Sequence, residues 1–169
     1  MKLEWIEKDV PSKIETRQVY AVVFDNLGRI LLKVDTLTNG EKSYNLAGGT
    51  PEVFDKDIIA TLRREYIEEV NTTLLDPIIY MGYQCVDEEN KIPPYAQIRM
   101  TAVIDKIGKK QPDPDNQKTY ERILVKPETA IKLLNWGKIG EQIVTKAVSI
   151  AKTKFNLKFS NDTDEIWDI

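Results

Sequence analysis

The spacing of apolar residues along the chain predicts a protein in which strands outnumber helices. Branched and aromatic residues occur in short runs, and such residues favour strands because they pack well on a pleated surface. We predict six strands, which cover residues 17–25, 29–35, 43–47, 78–86, 95–105 and 120–125. Turn residues at 26–28 indicate that the first two strands form a hairpin, and polar segments at 88–94 and 106–118 connect later strands.

One segment, residues 57–70, has the period of a helix instead. At 100° per residue, its apolar side chains fall within about 80° of arc and form a stripe that faces a core. This stripe consists of Ile59, Leu62, Tyr66 and Val70. Asp55 or Asp57 is suited to cap the start of the helix, and Asn71 suits the left-handed conformation in which helices commonly end.

The last third of the chain predicts two more helices and a tail. Pro127 fits the first position of a short helix that ends at Gly137, and residues 138–155 have nearly helical spacing. We predict one domain over residues 1–159. An acidic, loosely held tail follows over residues 160–169, although two apolar side chains near its end could dock. Mostly consecutive strands favour an α+β or α/β/α sandwich over a doubly wound parallel sheet.

Composition then narrows the chemistry that the chain could perform. The 169 residues include no His and one Cys, Cys85. The sequence therefore excludes a Ser-His-Asp system, a Cys-His pair, an imidazole base and a His-ligated zinc. A single Cys also excludes an intramolecular disulfide framework and a cysteine metal cluster. Metal chemistry would need oxygen ligands, which favour hard cations such as Mg²⁺, Ca²⁺ or Mn²⁺.

Charge and hydropathy bear on location and partners. The chain has 24 basic and 27 acidic residues, and its formal net charge of −3 argues against a dedicated nucleic-acid binder. Its first residues lack the apolar region of a secretory signal, and its apolar runs are far shorter than the roughly 20 residues that span a bilayer. We expect a cytoplasmic protein with no membrane partner and no stable nucleic-acid partner.

Three glutamates near the end of the central helix share one of its faces. Glu65, Glu68 and Glu69 are spaced by three and four residues and span about 100° of arc beside the apolar stripe. Like charges at these spacings cost a few tenths of a kcal/mol per pair, and a divalent cation would remove that cost. Arg64 lies one turn before Glu68 and could pair with it. A glutamate-rich face is more often merely solvated surface, and this alternative remains open.

The same residues belong to a longer motif. Residues 44–71, YNLAGGTPEVFDKDIIATLRREYIEEVN, resemble the Nudix box. That box consists of a Gly, five residues, a Glu, seven residues, and then Arg-Glu, an apolar residue, any residue, Glu-Glu, any residue, Gly and an apolar residue. Its second half matches residues 64–70, and Asn71 replaces the closing Gly. The match follows Gly48-Gly49, where a backbone without side chains allows close approach to a ligand.

The first half of the box departs from the family pattern. Counting back from the second half places Lys56 at the acidic position and Thr50 at the glycine position. A one-residue insertion places Asp55 and Gly49 there instead, and we prefer this alignment because it restores both residue types. Glu52 competes with Asp55 for the acidic role.

The resemblance implies an α/β protein, a Nudix-type α/β/α sandwich with a mixed β-sheet. It also implies a metal-dependent hydrolase that cleaves the pyrophosphate bond of a nucleoside diphosphate linked to another moiety. By this resemblance Arg64, Glu65, Glu68 and Glu69 are catalytic. The three glutamates and the Gly48 carbonyl would hold Mg²⁺ or Mn²⁺, and Arg64 would orient a ligand. A homodimer is compatible with such families.

The sequence leaves several candidates for the general base and for the residues that contact the substrate. Without His the base must be a carboxylate, either a box glutamate or one of Glu88, Glu89 and Glu121. On the strand at 95–105, polar and apolar residues alternate, which is typical of a half-exposed strand. The polar face could instead contact substrate. The candidate substrate residues are Tyr95, Gln97 and Arg99, together with Asp55 from the box.

A different class of function also fits the sequence. A catalytically silent nucleotide-binding sensor or interaction domain on a Nudix fold would explain the altered first half of the box. The intact glutamate triplet argues against this alternative. Trp136 is expected to pack at a helix end rather than to bind a ligand.

Overall fold

The structure is a computed structural model that describes residues 1–89 and 92–169, so Asn90 and Lys91 of the predicted connection at 88–94 lie outside it. The described residues form β1 (Lys2–Ile6), β2 (Glu15–Phe24), β3 (Ile30–Thr36), β4 (Lys42–Asn45), β5 (Gly48–Gly49), α1 (Ile58–Val70), β6 (Thr72–Leu74), β7 (Ile79–Asp87), β8 (Tyr95–Ile107), β9 (Glu121–Val125), α2 (Pro127–Leu134) and α3 (Gly137–Lys154). Within these ranges, no helix combines the length and apolarity needed to cross a bilayer.

The strands form a mixed sheet. Its main order is β1-β7-β8-β2-β3-β4, while β5 pairs with β2, β6 with β8 and β9 with β3. β2 and β8 run parallel, and the other paired strands are antiparallel. The predicted hairpin holds only at its turn, where Phe24 pairs with Ile30, because beyond that point β3 pairs with β4 and β9 instead.

Helices cover both faces of this sheet. Side chains alternate along a strand, so successive residues of β2 enter different layers. Odd-numbered residues pack beneath α1, in a core that includes Val19, Ala21, Val23, Leu62, Tyr66 and Val70. Even-numbered residues pack against α2 and α3, in a core that includes Val22, Phe24, Ala130, Ile143 and Ala147. The predicted α/β/α sandwich with a mixed sheet is confirmed.

Local signals in the sequence determine the ends of α1. The Asp57 side chain accepts a hydrogen bond from the Ala60 N–H at 2.8 Å and caps the start. Asn71 ends the helix in the left-handed conformation, with φ of 44°. The buried Tyr66 hydroxyl donates to the Ala21 carbonyl at 2.8 Å, which fixes the helix against β2. The glutamate face of α1 is therefore held at a defined orientation to the sheet.

Several elements differ from the prediction. β1 and β6 lie outside the predicted strands; β6 has only three residues, and β1 has five, of which Leu3, Trp5 and Ile6 are apolar. β1 is an edge strand that depends on its pairing with β7, where Lys2 lies opposite Asp87. α2 ends at Leu134 rather than at Gly137, since Asn135 adopts the left-handed conformation at its end and Gly137 begins α3.

The acidic C-terminal segment, residues 160–169, packs on the domain rather than hanging loosely. Leu124 and Ile166 exchange backbone hydrogen bonds of 2.8 and 2.9 Å, so the segment adds a short bridge to β9. The Arg122 guanidinium donates to the Ile169 carbonyl at 2.9 Å. Charge alone suggested solvation, but the unpaired edge of β9 provides backbone partners for the segment.

Candidate functional site

Glu65, Glu68 and Glu69 form what we call the acidic face of α1. Arg64 is the centre of the hydrogen-bond network on this face. Its Nε and Nη2 groups donate to Asp55 at 3.2 and 2.9 Å, and its Nη1 group donates to Glu65 and Glu68, each at 2.9 Å. Nη2 also donates to the Thr50 carbonyl at 3.0 Å. A guanidinium has five N–H bonds, so every donor of Arg64 has a partner. The expected pairing of Arg64 with Glu68 is one part of a larger network.

The geometry favours Asp55 over Glu52 as the acidic partner of Arg64. Asp55 binds the guanidinium through both carboxylate oxygens and also accepts from the Thr61 hydroxyl at 2.9 Å. Glu52 comes only within 3.7 Å of Arg64, and its side chain is 42% exposed against 5% for Asp55. This arrangement supports the alignment with a one-residue insertion.

The Asp55 carboxylate predicts a loss of stability in acid. The hydrogen bond from Arg64 is the main cause that lowers the pKa of Asp55 to about 2, from an ordinary value of 3.8. A carboxyl group with a lowered folded-state pKa stabilises the fold above its unfolded pKa, and this stabilisation disappears as pH falls from about 4 to about 2. Denaturant unfolding measured from pH 5 to pH 2 should show a weaker pH dependence for Asp55→Asn than for the native chain. Equal slopes would contradict this prediction.

Glu69 has a different cationic partner, Lys33 of β3. The Lys33 ammonium bonds one carboxylate oxygen of Glu69, and the Gly48 N–H donates to the other at 3.0 Å. Burial raises the pKa of Glu69, and Lys33 and Gly48 act against that rise. The charge of Asp113, from the loop before β9, adds to it. Neither Lys33 nor Asp113 is predictable as a neighbour of Glu69, because nothing local in the sequence marks them as contacts of α1.

Glu65 packs directly on the Gly48-Gly49 strand. A Cβ atom built on Gly49 would lie 2.3 Å from the Glu65 carboxyl carbon, so only glycine leaves room for this carboxylate. Burial raises the pKa of Glu65 to about 7; Arg64 opposes this rise, while the charges of Glu69 and Glu68 add to it. The glycine pair therefore sets the position of Glu65.

Substitution of Gly49 tests this close packing. In Gly49→Ala the new methyl group must displace the Glu65 carboxylate, because a real Cβ never approaches another heavy atom at 2.3 Å. If Glu65 serves catalysis, we expect kcat/KM to fall by about 10-fold or more, since small misplacements of catalytic groups are costly. Kinetics and thermal unfolding of the same sample would measure the effect. Unchanged activity would mean that the position of Glu65 is unimportant.

The donor chemistry of this face suits a hard divalent cation, but the carboxylates are engaged elsewhere. Three carboxylates and a glycine backbone form an oxygen-only set of the kind that Mg²⁺ and Mn²⁺ prefer. In residues 1–89 and 92–169, however, no three acidic, His or Cys side chains are arranged to hold a metal ion. Arg64 bonds Glu65 and Glu68, and Lys33 bonds Glu69. Two cations thus balance the charge that a metal ion would balance.

A cavity of about 700 Å³ adjoins this face. It is lined by Gly48 and Glu69 from the acidic face, and also by Gln97 and Arg99 of β8. Trp136, expected only to pack at a helix end, also lines it. The structure therefore places two of the four candidate substrate residues, Gln97 and Arg99, in a cavity that Glu69 also lines.

The other two candidate substrate residues lie elsewhere. Asp55 is bound to Arg64, as described above. Tyr95 lines a separate groove, where the Arg17 guanidinium lies 4.8 Å from the centre of its ring. Thr50 and Glu88 line the same groove.

The three later carboxylates have different surroundings. Glu121 pairs with Lys42 at 2.8 Å, and Glu89 pairs with the N-terminal amine at 2.8 Å. Glu88 lines the groove beside Thr50, the residue that follows the glycine pair. Among these three, Glu88 is the one without a cationic partner in the described residues; it accepts a hydrogen bond of 3.5 Å from the Tyr95 hydroxyl.

Comparison with known proteins identifies the fold. No family model matches the sequence, and no curated protein matches it either. Solved structures do match: a mutant of the pyrophosphohydrolase BsRppH from Bacillus subtilis aligns with a TM-score of 0.66 over 87% of this chain and 90% of its own, at 16% identity. A Nudix hydrolase from Nitrosomonas europaea aligns with a TM-score of 0.60 over 88% of this chain and 100% of its own, at 15% identity.

The chain has the Nudix fold. An Ap4A hydrolase from C. elegans also matches it, with a TM-score of 0.53 over 81% of this chain and 98% of its own, at 16% identity. The resemblance of residues 44–71 to the Nudix box is thus accompanied by the fold in which that box occurs. At these identities the structural likeness establishes the Nudix fold alone, so activity must be argued from the site.

Proposed function

We propose that the chain is a Nudix hydrolase that cleaves the pyrophosphate bond of a nucleoside diphosphate linked to another moiety, with Mg²⁺ or Mn²⁺. One observation carries this proposal. Glu65 and Glu69 lie against Gly49 and Gly48, Arg64 joins Glu65 to Glu68, and Glu69 and Gly48 also line a cavity of about 700 Å³. The volume is within the range of small-molecule sites, so a nucleotide could bind with its phosphates beside the carboxylates.

In this proposal each residue of the acidic face has a stated role. Glu65, Glu68 and Glu69, with the Gly48 carbonyl, would hold the metal ion. A bound divalent ion neutralises pyrophosphate charge and activates water as a nucleophile. Arg64 is a positioning residue, because its two Nη1 hydrogens hold Glu65 and Glu68 at fixed places on α1.

The proton of the attacking water requires a carboxylate acceptor, since the chain has no His. We assign this role to Glu88. It lies in the groove that Thr50 and Pro51 also line, directly after the glycine pair, whereas Glu89 and Glu121 are paired with cations. A Glu88→Gln variant would then lose rate without losing affinity for substrate.

A substrate panel tests the proposed hydrolysis. Nucleotide sugars, ADP-ribose, dinucleoside polyphosphates and nucleoside triphosphates are incubated with the protein and Mg²⁺ or Mn²⁺, and released phosphate and nucleoside monophosphate are measured. We expect turnover of at least one class, and loss of that turnover when a chelator removes the metal. Absence of turnover across the panel would overturn the proposed hydrolase function.

The second candidate is a catalytically silent nucleotide-binding domain on the same fold. A specific observation favours it: within the described ranges, Arg64 and Lys33 occupy the carboxylates and no metal-binding group of side chains is formed. Calorimetry distinguishes the two functions. A silent domain would bind a nucleotide with or without metal and release no product, whereas a hydrolase would convert the ligand during the titration.

A further inference from the structure

Lys33 brings a positive charge into the wall of the cavity beside the acidic face. Its strand, β3, is paired on both sides, and Lys33 lies opposite Asn45 of β4 and Arg122 of β9. Its side chain is 14% exposed, less than that of any other lysine that forms an ion pair in the described residues. The charge is therefore carried by a side chain with a fixed origin on the sheet and little access to bulk water.

The ammonium of Lys33 has more donors than its surroundings use. A lysine ammonium carries three N–H bonds. In residues 1–89 and 92–169, Glu69 is its one hydrogen-bond acceptor, and the Tyr120 ring lies on another side, with its centre 4.6 Å from Nζ. A shielded ion pair is favourable only when further hydrogen bonds satisfy its remaining donors. Because Lys33 also lines the cavity, an anionic ligand there would supply the missing acceptors.

The charges that line the cavity also favour an anion. Lys33 and Arg99 contribute two positive charges and Glu69 one negative charge, which leaves a net charge of +1. Arg99 is 3% exposed, and its Nη2 hydrogens are already bonded to Gln84 and Gln97 at 3.1 and 2.9 Å. Arg99 therefore adds positive charge to the cavity wall, while Lys33 supplies the donors that a ligand can reach. This local balance is opposite in sign to the net charge of the whole chain, −3.

Another part of the same cavity is apolar. Leu46, Ile139 and the Trp136 ring contribute to its lining, while Gly48 and Glu69 connect it to the acidic face. A free anion would satisfy Lys33 but would leave the apolar side chains uncovered. A nucleotide matches both parts, because it joins phosphates to a flat and partly apolar nucleoside.

We propose that Lys33 binds a phosphate oxygen of the nucleotide and so holds its pyrophosphate beside the acidic face. The inference rests on the proposed function in that it takes the ligand to be a nucleotide. A phosphate at the remaining donors of Lys33 lies next to Glu69, because the ammonium is bonded to that carboxylate. Lysine suits this contact, since it binds phosphate as a compact charge with rotatable donors. The ion pair with Glu69 orients the ammonium towards the ligand.

Equilibrium binding of a nucleotide that cannot be hydrolysed tests the proposal. In α,β-methylene-ADP a carbon replaces the bridging oxygen of the pyrophosphate. The full chain is titrated by calorimetry with this analogue and with adenosine, in Mg²⁺. We expect Lys33→Met to weaken binding of the analogue by at least about 10-fold, the scale of one hydrogen bond to a charged group, and to leave the affinity for adenosine unchanged. Equal affinity of Lys33→Met and the native chain for the analogue would overturn the proposal.

Methylene diphosphonate, the same anion without a nucleoside, separates a nucleotide site from a site for a free anion. Its binding should depend on Lys33 to the same extent as binding of α,β-methylene-ADP. The nucleotide analogue should bind more tightly, because its nucleoside covers the apolar lining near Leu46 and Trp136. Tighter binding of methylene diphosphonate would overturn the assignment to a nucleotide.

Two further variants separate contact with phosphate from neutralisation of Glu69. Glu69→Gln and the double variant Lys33→Met/Glu69→Gln both lack the carboxylate, so they differ only at Lys33. We expect the double variant to bind α,β-methylene-ADP at least about 10-fold more weakly than Glu69→Gln. Equal affinities would mean that Lys33 only balances Glu69, which would overturn the proposal. This pair also decides the question if Lys33→Met fails to fold, because the double variant leaves no unpaired carboxylate at position 69.

Lys42→Met is the matched control. Lys42 is also a lysine of the sheet that pairs with a glutamate, Glu121 at 2.8 Å, but it does not line the cavity. Its affinity for α,β-methylene-ADP should match that of the native chain. A loss as large as that of Lys33→Met would reveal a general effect of charge and would overturn the specific role of Lys33. Circular dichroism confirms that each variant is folded.

Failure of this proposal and failure of the proposed function are distinguishable. If the chain hydrolyses nucleotides but the double variant binds the analogue as tightly as Glu69→Gln, the role of Lys33 is wrong and the hydrolase function stands. If binding depends on Lys33 but no nucleotide is hydrolysed, the phosphate contact stands and the silent-domain function replaces hydrolysis.

Discussion

Glu68→Gln should abolish most of the hydrolytic activity while leaving the fold intact. The side chain is 23% exposed, and Arg64 Nη1 donates to its carboxylate at 2.9 Å. A glutamine oxygen can accept the same hydrogen bond, so the network around Arg64 survives. What the variant loses is a negative charge on the proposed metal face. We expect kcat/KM to fall by at least about 100-fold, or about 2.7 kcal/mol of transition-state stabilisation.

The measurement is steady-state kinetics on whichever substrate the panel identifies, at several Mg²⁺ concentrations. A metal ligand predicts a higher metal requirement as well as a lower rate, so part of the loss should be recovered at high Mg²⁺. Glu141→Gln is the matched control, because Glu141 is an exposed glutamate of α3 outside the acidic face. Activity of Glu68→Gln equal to that of this control would exclude Glu68 from catalysis.

The parts of the fold that the sequence predicted correctly depend on local chemistry. The limits of α1 follow from a capping aspartate, an apolar stripe and an asparagine that tolerates a left-handed backbone. The mixed sheet and its two helical layers followed from the resemblance of residues 44–71 to the Nudix box. By contrast, β1 depends on its partner strand, and the C-terminal segment depends on the free edge of β9. Such non-local pairings leave little trace in the segments themselves.

In the candidate site, too, local features could be predicted from the sequence and non-local contacts could not. Glu65, Glu68 and Glu69 could be grouped from helical spacing alone, and the structure keeps them on one face. Lys33 could not be anticipated, because it reaches Glu69 from a strand 36 positions earlier in the sequence. The contact between Lys33 and Glu69 depends on how α1 packs against the sheet, and no sequence motif signals it.

The predicted polar face of β8 is divided between two separate clefts, and a β-bulge in the neighbouring strand β2 lies at the point of division. Alternation places Tyr95, Gln97 and Arg99 on one side of the strand. The register between β2 and β8 shifts between Thr16 and Gln18, leaving Arg17 as an extra residue in β2. Arg17 then lies over the Tyr95 ring, which lines the separate groove, while Gln97 and Arg99 line the cavity. A β-bulge of this kind has no reliable signature in a single sequence.

Arg64→Lys should destabilise the protein strongly, even though lysine keeps the positive charge of arginine. Arg64 donates five hydrogen bonds through three nitrogens, to Asp55, Glu65, Glu68 and the Thr50 carbonyl. Lysine has one nitrogen with three hydrogens, so at least two of these five bonds are lost. We expect the free energy of unfolding to fall by about 3 kcal/mol, since each hydrogen bond to a charged group contributes roughly 1.5–3 kcal/mol.

Thermal and denaturant unfolding would measure this loss, and a Tm about 6–12 °C lower is expected for a chain of this length. Arg17→Lys is the matched control, because Arg17 forms a single ion pair with Glu15, whose side chain is 67% exposed. Exposed pairs contribute little, so its unfolding free energy should change by less than about 0.5 kcal/mol. Because Arg64 also positions Glu65 and Glu68, Arg64→Lys should lower kcat more than it raises KM. A variant as stable as Arg17→Lys would mean that charge, rather than the five-bond geometry of the guanidinium, holds the acidic face together.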